Sequence, residues 1–467
     1  MKKVVLFLFV LCAACPRTNS QADAVTQTYW LGWYEKDHKV GYMQSIFQAH
    51  ADRFRFERRG KLTTEMMGNI VTANPVTVCN TDKSYALKDF DFIMSTPGHQ
   101  FHVSGAVRGS KIQMTVESGN QRQTSALDVE GPVYPLDALP NLLRSRDMTP
   151  HTKYDLLVFD PMVQKTSSSE IMLLGPDRLT LRDTVFAVDK FSAVLFGVPY
   201  TIWIDSAARV LREDAPPSSV MLLEPGADAM ATMPEQAPPD LMSMFAVPSS
   251  MKLENARQLR SLKLELNGID PKSFDLADES QKILNAIPLQ LLIAPVSPPS
   301  VGAHVPITGE TTATRPTPAV QCDNALIIRK AREIAAGSTD AAQIARAINN
   351  WVFANVLQKG TPSMPSATDV LQTMEGDCNE HAVLYAALCR ALGIPCKICV
   401  GLVYRDGYFW YHAWNKVFVG TWVPVDPTFG QFPIDATHLK LTEGEMDKQA
   451  QVLTVVGNLA INILEAK

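Results

Sequence analysis

"EGDCNEHAVLYAALCRALGIPCKI", residues 375–398, decides the fold of the C-terminal part of this chain. Its opening is polar and acidic around one cysteine. From Ala382 to Leu392 almost every residue is apolar. A helix apolar on nearly all sides is buried in the middle of its domain. Gly393 closes it, and Pro395 prevents its continuation. Cys378 therefore stands at the N-terminus of a buried central helix, where unpaired N–H groups and the helix dipole favour an anion. Such a place lowers a thiol pKa and can supply an N–H to an oxyanion. Asp377 and Glu380 push the thiol the other way. Cys378 is thus either a nucleophile or one more buried thiol, as Cys389 in the middle of the apolar helix is read to be.

A thiolate nucleophile needs a base and a group that orients the base. Both follow in "CKICVGLVYRDGYFWYHAWNKVFVGTWVPVDPTFG", residues 396–430. "YRDGYF" is an Asp-Gly hairpin signal between two strands. A second tight turn at Val419-Gly420 joins "YFWYHAWNKVF" to "TWVPVD". It sets Phe418 opposite Thr421 and His412 opposite Pro427, so Asp426 lies within about one residue of His412 across the ladder. A cysteine at a helix start, with His and Asp on a neighbouring hairpin, is the layout of a Cys-His-Asp triad.

Three motifs carry a resemblance to the transglutaminase-like superfamily, a branch of the papain-like cysteine enzymes. They are "GDCNEHA", "RALGIPCKICVG" and "YHAWNKVFVGTWVPVDPT", with 34 residues from Cys378 to His412 and 14 from there to Asp426. The region, about residues 324–441, resembles in particular bacterial transglutaminase-like proteins of cysteine-protease type. The preceding "INNWVF" and the following "DATHLKL" suit that group as well. The resemblance implies that Cys378 attacks an amide or peptide carbonyl, that His412 takes and returns the proton, and that Asp426 fixes the histidine tautomer. It implies an acyl-enzyme passed to water or to an amine; the sequence shows no calcium loop, so no cofactor and no obligatory metal are expected. The oxyanion-hole side chain stays open between Gln372, at the papain-type offset, and a tryptophan such as Trp351 or Trp414.

Working outward, "NALIIRKAREIAA" and "DAAQIARAINNWVFANVLQ" have helical spacing, and Asp340 is placed to cap the second. Residues 25–222 alternate apolar and polar side chains between Gly, Asp and Asn turns, with "VRGSKI" as a hairpin. This half reads as antiparallel β, a sandwich or a large curved sheet. Residues 223–320 read as two Pro-rich linkers flanking a short strand-bearing segment, and 321–467 as the catalytic domain. The expected architecture is therefore multidomain: a β-rich, sandwich-like N-terminal region and an α+β papain-like, transglutaminase-like cysteine hydrolase fold. At 467 residues the chain is long enough for two or three domains.

Lys2, Lys3 and the apolar residues 4–14 read as an export signal, with residues 1–24 removed. "CAAC" ending at Cys15 resembles a lipobox that would instead make Cys15 an acylated N-terminus. Both point to the periplasm or cell envelope, with membrane contact only through such an anchor. A net charge of −5 and no basic block argue against nucleic acid. The expected partner is a protein or peptide substrate. A Cys79–Cys322 disulfide is open, and Cys396-x-x-Cys399, on one strand, reads as packed core. His99, His102 and His151 read as structural or exposed. His381 reads as hydrogen-bonded in the core and His438 as lining the site rim. The alternative to an enzyme is a non-catalytic envelope scaffold that retains the fold.

Overall fold

The computed structural model describes residues 25–66, 68–97, 99–118, 121–216, 218–231, 240, 246–309, 312–360, 366–445, 448, 452 and 458–467. The export signal and Cys15 lie outside these residues. Among the described residues no helix is long and apolar enough to cross a membrane.

The N-terminal half is one continuous sheet of fifteen strands, not two stacked sheets. Of the two forms open from the sequence, the large curved sheet is the one that forms. Its middle is the pairing of the first strand, Val25–Glu35, with the last, Ser219–Glu224, through Trp30↔Glu224 to Glu35↔Ser219. On one side the strands follow chain order to Gln121–Asp128; on the other they run back to Tyr134–Pro135. All pairs are antiparallel except that of Tyr134–Pro135 with Lys153–Asp160. Alternation puts one set of side chains inside: in Leu87–Thr96, Phe90 and Phe92 are buried while Asp89 and Asp91 face away. The sheet curls until its two arms meet. Phe90 packs on Phe159 with ring centroids 4.8 Å apart, and the Leu87 N–H donates to the Val133 carbonyl at 2.8 Å.

The C-terminal half is organised around the helix Cys378–Ala391, which packs against the helices Ala325–Ala335, Ala341–Asn355 and Ala367–Thr373 and against the strand Tyr408–Phe418. Its residues from Ala382 to Cys389 are all buried, as an all-round apolar helix requires. The Asp340 side chain caps the second helix by accepting from the Gln343 N–H at 2.9 Å. The strands Cys396–Arg405 and Tyr408–Phe418 form the expected hairpin over Asp406-Gly407, both at positive φ (52° and 89°), as a two-residue primed turn requires.

The segment between the two expected linkers belongs to this same core. A single cluster of buried residues draws on Val247, Leu264 and Leu291 as well as Ile327, Leu384 and Val400. Strand Leu262–Asn267 pairs with the C-terminal strand Ala460–Ala466, and Val247–Pro248 pairs with the Tyr408 end of the His412 strand. The Gln281 amide, buried, donates to the Lys440 carbonyl at 2.8 Å and accepts from the Lys440 N–H at 3.0 Å. All six cysteines described are free and buried, so no Cys79–Cys322 bridge forms.

Candidate active site

Cys378 is the first residue of its helix. Asp377 precedes it in an extended conformation and closes a reciprocal capping box with Glu380. The Asp377 carboxylate accepts from the Asn379 N–H at 2.8 Å, and the Glu380 carboxylate accepts from the Asp377 N–H at 2.9 Å. Caps of this kind stabilise a helix by about 1 kcal/mol. Here they also spend helix-terminal donors on protein carboxylates. Cys378 is 7% exposed. Burial raises its pKa well above the usual thiol value, and Asp377, Glu380 and Asp426 raise it further against the opposing N–H of Ala413. Burial, the largest of these influences, favours the neutral thiol.

Ala413 sits beside His412 on a strand whose edge, among the described residues, is paired only at its two ends. Val247–Pro248 covers Phe409 and Tyr408, and Trp422–Val425 covers Phe418 back to Asn415. Residues 410–414 lie in the gap, where the Ala413 N–H meets the Cys378 sulfur instead of a ladder carbonyl. The hairpin register differs by one residue from the sequence reading. Phe418 pairs with Trp422 across a three-residue turn, and Asp426 leaves the ladder to bridge Gln431. The expected side-chain pair forms nonetheless: His412 Nε2 is 2.8 Å from Asp426 Oδ2, with His412 4% and Asp426 0% exposed. Asp426 Oδ1 accepts from the Thr428 and Phe429 N–H groups at 2.7 and 3.1 Å. Burial would raise the Asp426 pKa, yet His412 and His438 hold it far below the carboxylate range. An Nε2–H donated to Asp426 leaves Nδ1 as the basic nitrogen of His412. Among the described residues no hydrogen bond joins Cys378 to His412. Phe429 stacks on the imidazole at 4.9 Å.

His438 is the residue that sequence reading misplaced. It is fully buried behind the site, with Nε2 3.1 Å from the same Asp426 oxygen and Nδ1 3.4 Å from Asp435 Oδ1. Burial disfavours its charge, but the two carboxylates outweigh that and raise its pKa. Asp435 is fixed in turn by the Thr437 N–H at 2.7 Å and by Arg257 at 2.9 Å. Arg257 belongs to the segment expected to lie between linkers. Charges therefore alternate along Arg257, Asp435, His438 and Asp426 toward His412. His412, Asp426 and His438 also place one ligand atom each within 4.8 Å of one another. A divalent cation bound there would replace both histidine–aspartate hydrogen bonds.

His381 meets its expectation: it is buried and donates from Nδ1 to the Asp377 carbonyl at 2.7 Å. Cys389, Cys396 and Cys399 are wholly buried, and Cys396 and Cys399 bridge no metal cluster among the described residues. His102 bonds across neighbouring strands to Asp91 at 2.8 Å and Glu117 at 3.0 Å, a structural role. Gln372 is exposed, and Trp414 lies behind His412, its ring centroid 6.0 Å away. The polar groups that share the thiol's surroundings are instead Asn379 and Tyr411, whose hydroxyl donates to Asn379 Oδ1 at 3.3 Å.

Comparison with known proteins finds likeness in the region of this site. Residues 328–427 match the transglutaminase-like superfamily. Kyphoscoliosis peptidase of Mus musculus is 34% identical over 84 residues, covering 16% of this chain and 13% of that protein. The Homo sapiens protein is 33% identical over the same length and coverage. The chain thus spans about an eighth of these relatives. A candidate cysteine protease from Cytophaga hutchinsonii, of known structure, is 19% identical with a TM-score of 0.31, over 45% of this chain and 88% of that one. A β-barrel-like protein of Brucella abortus is 10% identical with a TM-score of 0.34, over 44% of this chain and 97% of that one.

Proposed function

We propose, from the transglutaminase-like domain at residues 328–427, that this protein is a cysteine-dependent acyl-transfer enzyme acting on amide bonds of a protein or peptide. The observation that carries the reading is the buried His412–Asp426 pair, 2.8 Å long, on the residue next to the N–H that meets Cys378. The fold around it is read as papain-like: the nucleophile opens the central helix, and the base lies on the strand that the helix covers.

His412 Nδ1 accepts the thiol proton as Sγ attacks the amide carbon. The resulting oxyanion is met by the Cys378 N–H and by the donors of Asn379 or Tyr411. The C–N bond breaks, the amine leaves with the proton from His412, and a Cys378 thioester remains. Water, activated by His412, releases the acid; an amine acceptor would give transamidation. Hydrolysis is the favoured outcome. Asp426 holds the required tautomer and the charge that His412 gains. The reading includes export to the periplasm or envelope, supported by Lys2, Lys3 and the apolar run after them.

The test is electrophile labelling across pH 5–9 with peptide mapping, alongside His412→Ala. The enzyme reading expects Cys378 to label faster than Cys389 and to lose that advantage in His412→Ala. Equal labelling overturns it. The raised thiol pKa and the missing Cys378–His412 hydrogen bond favour the second reading, a non-catalytic scaffold, and that outcome would support it.

A further inference from the structure

The mouth of the thiol opens inward. Cys378, Asn379 and Tyr411 form part of the wall of a cavity of about 620 Å³ lined otherwise by the inner face of the N-terminal sheet, by the short helix Leu139–Arg144 and the turn before it, and by the turn residues Met162, Val163 and Phe196. That volume lies within the range of about 300–1,000 Å³ usual for small-molecule sites. The wall residues alternate along the strands: Tyr29, Leu31 and Trp33 on one, Tyr200, Ile202 and Ile204 on another. Such spacing selects one face of a sheet. The N-terminal half therefore leaves a hollow where a sandwich would have packed a core, and the candidate nucleophile stands at its end.

We infer that this hollow binds the long apolar acyl part of the substrate whose carbonyl Cys378 attacks. The proposal rests on the catalytic reading above and names its substrate class: amides whose acyl side is an alkyl chain, such as N-acylated peptides. Three observations carry it. First, the strands that make most of the wall offer side chains, because their N–H and C=O groups are taken up in the ladders. A peptide threaded into it would bury unpaired amides, whereas an alkyl chain has none to pair. Second, the portion seated in the hollow beside the thiol is the portion that stays. In the thioester the acyl group is held on Cys378 while the amine departs and water arrives. Third, the charged residues in the wall answer one another. Arg58 lies 3.4 Å from Asp137 and within the field of Glu213. Burial raises the Asp137, Glu213 and Asp160 carboxyls, the last to about 6, which reduces the charge the cluster carries. The carboxylates that act on the thiol are Asp377, Glu380 and Asp426, none of that cluster.

Two measurements on the full chain separate this proposal from the catalytic one. Cys378→Ala is titrated with an anthroyloxy-labelled stearate below its micelle concentration. Saturable binding is expected, displaced by dodecanamide and not by acetamide. Each methylene moved from water into the wall should tighten binding up to about fourfold. Ala73→Trp, which projects a large ring from the half-buried wall into the hollow, should weaken the probe at least tenfold with an unchanged circular-dichroism spectrum. The native chain is then acylated with p-nitrophenyl acetate, octanoate and dodecanoate. Sulfur bonds to the acyl carbon, p-nitrophenolate leaves, and mass spectrometry locates the adduct. The rate constant for Cys378 should rise at least tenfold from acetate to dodecanoate. Absence of saturable binding, displacement by an apolar hexapeptide but not by the alkyl amide, or acylation indifferent to chain length overturns the acyl-chain site. Binding without any acylation leaves the site standing and overturns the catalytic reading instead.

Discussion

The two halves of this molecule solve the same problem in opposite ways. Around the helix Cys378–Ala391, aliphatic side chains from residue 247 to residue 463 close into one filled core. Inside the N-terminal sheet, buried residues gather in separate clusters, one around Phe90 and Phe101 and another around Leu142 and Ile171, with a hollow of about 620 Å³ between their walls. Protein interiors normally pack as densely as organic crystals, so empty space of that size costs dispersion contacts. The filled half holds Cys378, His412 and Asp426 in fixed positions. The hollow half gives that thiol somewhere to look. Rigidity and room are divided between two regions.

The largest expected effect tests the rigid side. Asp426→Asn leaves the shape but removes the charge that fixes His412, and should lower acyl transfer about 10³- to 10⁴-fold, read as single-turnover acylation. A loss under tenfold would separate Asp426 from the reaction. Next in size is the contrast between a filled and a hollow interior. Leu384→Ala, in the filled core, should destabilise by about 2–5 kcal/mol in urea titration. Met94→Ala, on the cavity wall, should cost under about 1.5 kcal/mol, because its side chain already borders open space. Equal costs would mean that the hollow is filled in solution.

The smallest effect concerns His438. Its folded pKa is raised, so its charged pairs with Asp426 and Asp435 add stability that is complete below the unfolded value of about 6.5. That contribution is lost as pH rises through the folded value. Relative to native protein, His438→Gln should therefore melt lower at pH 6 and converge toward it at pH 9. It should also leave Asp426 to His412 alone, moving the acidic limb of the acylation profile to higher pH. A profile that only scales down would make His438 a packing residue.

How much of this could be read from the residues varies by element. The all-round apolar run after His381, the Asp-Gly turn and Gly393 fix the helix and hairpin locally, and the Cys378, His412 and Asp426 side chains follow from their spacing. The one-residue error in the second hairpin arises because Val419-Gly420 reads as a two-residue turn where three residues, 419–421, make it. It did not matter, since Asp426 leaves the ladder before the error could displace it. His438 had no comparable signal. Its partners lie three and twelve residues away across a loop, and only the Asp435-x-x-His438 spacing hinted at a pair. The hollow was least visible, because alternation marks an inward face without saying whether that face meets another or encloses space. The Pro-rich stretch before residue 320 hid Arg257 and Val247 for a similar reason: composition resembles a linker even when the chain is packed.

The gap beside His412 has a consequence for solubility. Unpaired strand edges invite other chains to add on, the usual start of fibril growth. Here the edge without a partner strand among the described residues is only five residues long, from 410 to 414, and residues 411–414 are buried. The strands flanking it, Val247–Pro248 and Trp422–Val425, each carry a proline, Pro248 and Pro424, with no N–H to offer a newcomer. An intruding strand would find a short opening fenced by prolines at both ends. The stretch that meets Cys378 can thus go without a partner strand and present no template for aggregation.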